Sequence, residues 1–244
     1  MTMASGPGMP MLAIELSQRA GGVAYLDEGR EPVVAPVTGG RREKDELLPA
    51  IQQALDTANA TARDLASVVV DIGPGGFTGL RISIAAGQML AEVAGASVVG
   101  IPGAEVAAAS TPAIFGGSLT GTILVIAATR NGTAWTTRLA RQDPNRDWKP
   151  VGAAMLLDAP PAERYAAVLA DEHLEPTWRG RFESEGIEIV EPVHSATGLA
   201  GLFLRGMSDS PPVSWQVSED PATLRPLYPR EPEAVRLWNA RRGR

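Results

Sequence analysis

The sequence predicts an α/β fold with two related lobes, and three observations support that prediction. Two pairs of short apolar runs, one beginning near residue 11 and one near residue 122, have the pattern of strand hairpins. The apolar run VVVDI (68–72) meets the glycine-rich turn GPGGFTG, and a helix-like stretch follows at once. Apolar residues recur at three- and four-residue spacings over 44–59, which indicates one face of an amphipathic helix.

Composition excludes several classes of protein. Of the 244 residues, 44% are apolar and 20% charged, which is ordinary for a globular protein. The formal net charge of −6 argues against a general nucleic-acid coat, which needs a basic surface. The absence of cysteine rules out disulfides, thiolate metal sites and a cysteine nucleophile. Residues 1–10 have no basic region and no long apolar core, so we expect a flexible leader and not a signal peptide. Without an apolar run of ~18 residues, no membrane span is predicted and a cytoplasmic protein is expected.

The first lobe is predicted over 11–110. Prolines within 32–37 favour an edge position for its third strand. Thr61 and Asp64 have the spacing of a capping box at a short helical turn. The predicted strands are 11–16, 23–26, 32–37, 68–72 and 97–102, and the predicted helices are 44–59, 78–93 and 104–110.

The second lobe is predicted over 111–218, because the local composition changes at STPAIFGGS to that of a domain junction. Residues 219–244 are expected to form a C-terminal segment and a helix that packs back on the first lobe. Within the second lobe the predicted strands are 122–129, 133–140 and 186–192, the predicted helices are 161–174 and 197–207, and a loop is expected over 142–161.

The glycine-rich turn does not match the common phosphate-binding patterns. A P-loop needs a lysine after its second glycine, but Thr78 stands at that glycine's position and no lysine follows. The dinucleotide pattern fails because Thr78 also replaces its third glycine. What remains is a tight strand-to-helix turn, in which Pro74 restricts the backbone, Gly75 and Gly76 free it, and Thr78 caps the helix. A small anion held by the helix amides is the alternative.

The helix after this turn is apolar on nearly all sides. Its polar positions are limited to Arg81, Ser83, Gln88 and Glu92. Such a helix has to be buried on more than one side. The chain's own core accounts for one face. For the other face, core burial and a partner protein are both open explanations.

GPGGFTGLR, followed by an alanine- and glycine-rich helix, resembles the GPGSFTGLRIG signature of the bacterial TsaB family, also called YeaZ. The opening MLAIELSQRAGGVAYL, the helix EKDELLPAIQQAL and the ending LRPLYPREPEAVRLW are also similar to segments of that family. The resemblance covers 11–110 well and the C-terminal stretch moderately. In the middle of the chain, only the pattern of hydrophobic residues agrees with the family.

This resemblance implies an actin-like ATPase fold, shared with Hsp70 and sugar kinases, and a role in making threonylcarbamoyladenosine on tRNA. It implies a non-catalytic subunit that docks on TsaD, its catalytic paralogue, through the first helix and the helix after the glycine loop. The implied partner-binding residues are Leu47, Leu48, Ile51, Leu55, Phe77, Arg81, Ile84, Gln88 and Met89. The loop residues with an expected structural role are Gly73, Pro74, Gly75, Gly76, Thr78 and Gly79. Further implied partners are a TsaE-like ATPase, a second copy of the chain when TsaD is absent, and tRNA through the complex alone.

Departures from the family pattern bear on catalysis. Glu15 stands where the family's first strand ends in aspartate, and Ala127 stands where the second lobe has an aspartate. Actin-like ATPases hold magnesium with acids at these places, so Glu15 is interpreted as a remnant of a nucleotide site. The histidines His173 and His194 lie twenty-one positions apart, unlike the close-spaced metal-binding pair of TsaD-like proteins. We therefore expect no catalytic residue, no metal, and no cofactor apart from ATP or ADP at a partner interface.

Alternatives to an accessory subunit stay open at this point. The chain is compatible with a free-standing ATP-dependent small-molecule kinase of the same fold, or with a homodimeric scaffold. The arginines of the C-terminal tail, including Arg241 and Arg242, fit either a solvated amphipathic helix or a basic patch that helps to hold tRNA in a complex.

Overall fold

The computed structural model describes residues 8–38, 46–115, 117–209 and 212–230, together with 238 and 241. Most of the predicted leader and the predicted C-terminal helix lie outside these residues. The strands are β1 Met11–Glu15, β2 Ala20–Leu26, β3 Val33–Thr38, β4 Ser67–Asp71, β5 Ser97–Ile101, β6 Gly121–Arg130, β7 Thr133–Arg141, β8 Lys149–Pro150, β9 Met155–Leu157, β10 Ala167–Leu169, β11 Ile189–Val190 and β12 Gln216–Ser218. The helices are α1 Leu47–Ala58, α2 Phe77–Ala94, α3 Gly103–Ser110, α4 Pro112–Phe115, α5 Pro176–Ser184 and α6 Ala196–Asp209.

The first sheet has the strand order β12-β5-β4-β1-β2-β3. Strands β1, β4 and β5 run parallel, and β2 and β3 continue as an antiparallel meander with β3 at the edge, as its prolines predict. Side chains alternate across β1: Leu12 and Ile14 pack in one cluster with α1 and α2, while Met11 and Ala13 pack in another with α6. Because both faces are covered, the central strands are continuous apolar runs.

The second sheet has the order β11-β10-β6-β7-β8, and β9 also pairs with β7. The predicted hairpin is confirmed: β6 and β7 are antiparallel, and the chain turns at Asn131 and Gly132, whose φ angles are +52° and +76°. Asparagine and glycine tolerate this left-handed conformation, which matches the twist of the strands. Trp178 and Phe182 of α5 fill the core on one face of this sheet.

Helix α3 lies between the two sheets. Its Val106 belongs to the core formed by the first sheet and α6, whereas Ala104, Ala107 and Ala108 belong to the core of the second sheet. The small alanine side chains leave room for close approach on the second side, so one short helix joins both lobes.

The structure differs from the predictions about the second half of the chain. The segment 161–174 contains strand β10, which pairs in parallel with β6, and not the predicted helix. A strand buried on both faces has no period-two alternation, so its alanine-rich run mimics a helix. Within the predicted second lobe of 111–218, α6 packs on β1, β2 and β4, and β12 pairs with β5. The predicted 142–161 loop contains the short strands β8 and β9.

Candidate functional site

The glycine loop packs directly on the backbone that follows β1. A Cβ atom added at Gly75 would lie 2.2 Å from the carbonyl oxygen of Ser17, and one at Gly79 would lie 2.2 Å from that of Leu16. Gly73 has φ +89°, a conformation that favours glycine. These three positions therefore need glycine for close approach or for backbone conformation, which supports the structural role over a ligand-binding one.

Two amides of the loop are used by the chain itself. The amide of Gly73 donates to Oδ1 of Asp71 at 2.7 Å, and the amide of Gly76 donates to the carbonyl of Ser17 at 2.7 Å. An anion would have to displace these bonds. The predicted cap is also corrected: Gly76 is the N-cap of α2, and Thr78 lies inside its first turn.

The outer face of α2 carries the largest exposed apolar side chains of this region. Phe77, Ile82, Met89 and Val93 are 49%, 41%, 60% and 53% exposed. At one end of this face the Phe77 ring stacks on Tyr228, with centroids 5.6 Å apart. The guanidinium of Arg81 lies 3.9 Å from the Phe77 ring centre, and its Nε donates to the Tyr228 hydroxyl at 3.1 Å. We call Phe77, Arg81, Ile82, Met89 and Val93 the α2 surface.

Four of the predicted partner-binding residues belong instead to the chain's own core. Leu47, Ile51, Leu55 and Ile84 are each 6% exposed or less and share one cluster. The apolar stripe of α1 faces β2 and β3, which is where its burial energy is gained. Leu48 is 51% exposed. Among the other predicted residues, Phe77, Arg81 and Met89 are exposed, while Gln88 is half-buried and donates to the carbonyl of Leu224.

A cleft of about 490 Å³ separates the two lobes. Its lining residues come from the β1–β2 turn, the glycine loop, the start of α3, strands β6 and β7, and the segments around 171–173 and 191–194. Ala127 lies on its wall. Three acids, Asp171, Glu172 and Glu191, line it against a single arginine, Arg19, so the cleft is acidic.

Three ionisable side chains meet beside this cleft. Glu15 and Asp71 end the parallel neighbours β1 and β4, whose register pairs Ile14 with Val70, so both carboxylates reach the same edge of the sheet. His194 approaches from the segment between β11 and α6, and its Nδ1 lies 3.4 Å from Oδ2 of Asp71. Each of the three residues places one ligand atom within 4.8 Å of the others.

Burial and neighbouring charges shift the pKa values of Glu15 and His194, and the side chains of Glu15 and Asp71 are fully buried. Desolvation and the Asp71 charge raise the pKa of Glu15, although His194 and the Ser17 bonds oppose them. Burial lowers the pKa of His194, but the hydrogen bond and charge of Asp71 and the charge of Glu15 outweigh it, so the net direction is upward. Oε1 of Glu15 accepts from the amide and hydroxyl of Ser17 at 2.7 and 2.6 Å.

Sequence reasoning named Glu15 but missed its two neighbours. Asp71 carried a usable signal, because MLAIE and VVVD are both apolar runs that end in an acid, and parallel strands bring such ends together. His194 carried no such signal, since it is 123 residues from Asp71 along the chain. The sequence reading of His194 considered only its distance from His173, whereas the structure places it beside two carboxylates.

Comparisons with known proteins bear on the family and the fold of this chain. Residues 30–137 match the family described as TsaD: tRNA N6-adenosine threonylcarbamoyltransferase. "Uncharacterized protein Rv3421c" of Mycobacterium tuberculosis H37Rv is 33% identical over 198 residues, which span 81% of this chain and 79% of that protein. The Bacillus subtilis "tRNA threonylcarbamoyladenosine biosynthesis protein TsaB" is 30% identical over 130 residues, 52% of this chain and 54% of its own length. The structure of YeaZ from Pseudomonas aeruginosa matches with a TM-score of 0.68 and 20% identity, over 89% of this chain and 98% of that one.

The chain belongs to the TsaB/YeaZ family. The two sheets of this family member form the mixed α/β, actin-like ATPase fold that the resemblance predicts. Both the α2 surface and the acidic cleft are thus features of a TsaB/YeaZ chain. In the part of the chain that is described, every helix is too short or too polar to cross a bilayer.

Proposed function

We propose that this chain is a non-catalytic subunit in tRNA threonylcarbamoyladenosine biosynthesis, and that it binds a TsaD-like catalytic subunit through the α2 surface. Family membership supports the pathway, since relatives in B. subtilis and Escherichia coli are named for it. The observation that carries the binding mode is the row of exposed apolar side chains on α2. Exposed apolar surface of this kind marks protein interaction sites in soluble proteins.

Two features of the α2 surface favour a specific contact. Ile82, Met89 and Val93 fall within about 40° of one another around an 18-residue helix, so they form an exposed apolar row. The Phe77–Arg81–Tyr228 stack at one end is an aromatic and arginine group of the type that dominates binding energy at interfaces. Leu48 of α1 adds an exposed leucine on a helix that packs on the same face of the first sheet.

Size-exclusion chromatography with light scattering tests this proposal. The native chain is run alone and mixed with the TsaD-like protein of the same genome, beside Met89→Asp and the matched control Met155→Asp. Both methionines are more than half exposed, at 60% and 53%, but Met155 lies on β9 in the second lobe. We expect a heterodimer with the native chain and the control, and its loss with Met89→Asp. If the native chain does not bind the TsaD-like protein, the proposal is wrong.

We further propose that the isolated chain transfers no phosphoryl group, because Ala127 puts a methyl group on the cleft wall where the family resemblance calls for an acid. ATP turnover by the isolated chain is the measurement. Saturable magnesium-dependent turnover that disappears in Glu15→Gln would favour the small-molecule kinase instead.

The isolated chain is also tested for self-association. If Met89→Asp abolishes that self-association, the α2 surfaces of two copies bind each other when the partner is absent.

A further inference from the structure

We propose that Glu15, Asp71 and His194 bind one divalent transition-metal ion beside the cleft between the lobes. The inference is independent of the proposed function, because none of its three residues belongs to the α2 surface. It rests on geometry, on one unpartnered buried oxygen, and on the charge of the surroundings.

The spacing of the three ligand atoms suits a small cation. Two ligands at about 2.1 Å from a tetrahedral ion lie about 3.4 Å from each other. Nδ1 of His194 lies 3.4 Å from Oδ2 of Asp71, and all three ligand atoms fall within 4.8 Å of one another.

A buried oxygen of Glu15 has no partner. Oε1 accepts two bonds from Ser17, whereas Oε2 is the one buried side-chain nitrogen or oxygen without a hydrogen-bond partner in the described part of the chain. Leaving a buried acceptor unsatisfied costs about 1–3 kcal/mol, and more when it is charged. A cation ligated by this oxygen would remove that cost. It would also offset the repulsion between two fully buried carboxyl groups.

The surroundings favour a cation and give it a route. The side chain of His194 is 8% exposed and lines the cleft, so an ion reaches the cluster from that side. The excess of acids on the cleft wall draws cations and not anions. The remaining coordination position would face the cleft.

The donor set selects the class of ion. One imidazole nitrogen with two carboxylate oxygens suits zinc and other first-row divalent ions, whereas magnesium and calcium prefer oxygen ligands alone. Glu15 and Asp71 belong to the first sheet, and His194 follows β11 of the second sheet. A bound ion would therefore tie the two lobes together at the base of the cleft.

The chain has only two histidines, which allows a sharp test. Chain freed of metal with a chelator is titrated with Zn²⁺ by calorimetry, with Mg²⁺ as the comparison ion. The variants are Glu15→Gln and His194→Asn, and the matched control is His173→Asn, which removes an exposed histidine. Glu15→Gln keeps an amide oxygen for the Ser17 bonds and removes the ligating carboxylate. In the His173→Asn background, ¹⁵N NMR of the imidazole reports on His194 alone.

We expect one Zn²⁺ per chain, a shifted His194 ring nitrogen, and a higher Tm. We also expect a loss of more than about 100-fold in affinity with Glu15→Gln or His194→Asn, because losing a residue that only orients a ligand already costs about 10–100-fold. The control is expected to bind like the native chain. Circular dichroism without metal checks that the variants fold. If Glu15→Gln does not fold, the test depends on His194→Asn. The proposal is wrong if the native chain binds no Zn²⁺, if the folded variants bind it unchanged, or if only His173→Asn abolishes binding.

Discussion

Replacing Gly79 by alanine is expected to destabilise the protein, although the same change stabilises most helices. Gly79 lies in the first turn of α2. An added Cβ atom would lie 2.2 Å from the carbonyl oxygen of Leu16 and 3.3 Å from its carbonyl carbon. Because both neighbours are backbone atoms, no side-chain rotation relieves the contact.

The magnitude follows from two opposing effects. Alanine is favoured over glycine by about 1 kcal/mol within a helix. Ordinary contact begins at 3.4 Å, so the start of α2 must move away from Leu16 by about 1 Å. Such overpacking costs about 1–3 kcal/mol, and more when backbone has to shift. The difference is a net loss of up to about 2 kcal/mol, which lowers Tm by up to about 8 °C for a chain of this size.

Gly180→Ala is the matched control. Gly180 is also inside a helix, α5, but an added Cβ would meet nothing within 4 Å. There the helix preference acts alone, and a gain of about 0.5–1 kcal/mol is expected. Urea unfolding followed by circular dichroism measures both variants. If Gly79→Ala proves as stable as Gly180→Ala, the tight contact between the loop and Leu16 does not exist.

Two further changes test the core and its charges. Ile84→Asp is expected to unfold the chain or to lower its free energy of unfolding in urea by about 3–5 kcal/mol, because Ile84 is 6% exposed and the new carboxylate would have no partner. If the stability is unchanged, Ile84 is not a core residue. Burial raises the pKa of Glu105 above the ordinary 4.5, against hydrogen bonds from Ser214 and Trp215 that lower it. The folded chain thus holds this proton more tightly than the unfolded one, and the stabilisation, complete below pH 4.5, is lost as pH rises through the folded-state pKa. Urea unfolding from pH 4.5 upward should show a shallower decline in Glu105→Gln than in the native chain, and equal slopes would contradict the assignment.

Local sequence patterns predicted most of the first lobe. The apolar runs of β1 and β4 and the capping box of Thr61 and Asp64 all appear as expected, because each depends on residues a few positions apart. The same logic failed over 161–174. There a three-residue strand is held by its neighbours β6 and β11, and its own alanine-rich sequence favours a helix.

The sequence by itself determined the secondary structure around the glycine loop, the family, and the presence of an apolar helix after that loop. Only the tertiary structure decided which apolar residues are available. Leu47 and Leu48 are adjacent in sequence, yet one is 2% and the other 51% exposed, because a helix turns 100° at each residue and the sheet lies on one side. Tertiary structure also brought His194 to Glu15 and Asp71, since a contact across 123 residues depends on how two sheets pack and leaves no periodic signal in the chain.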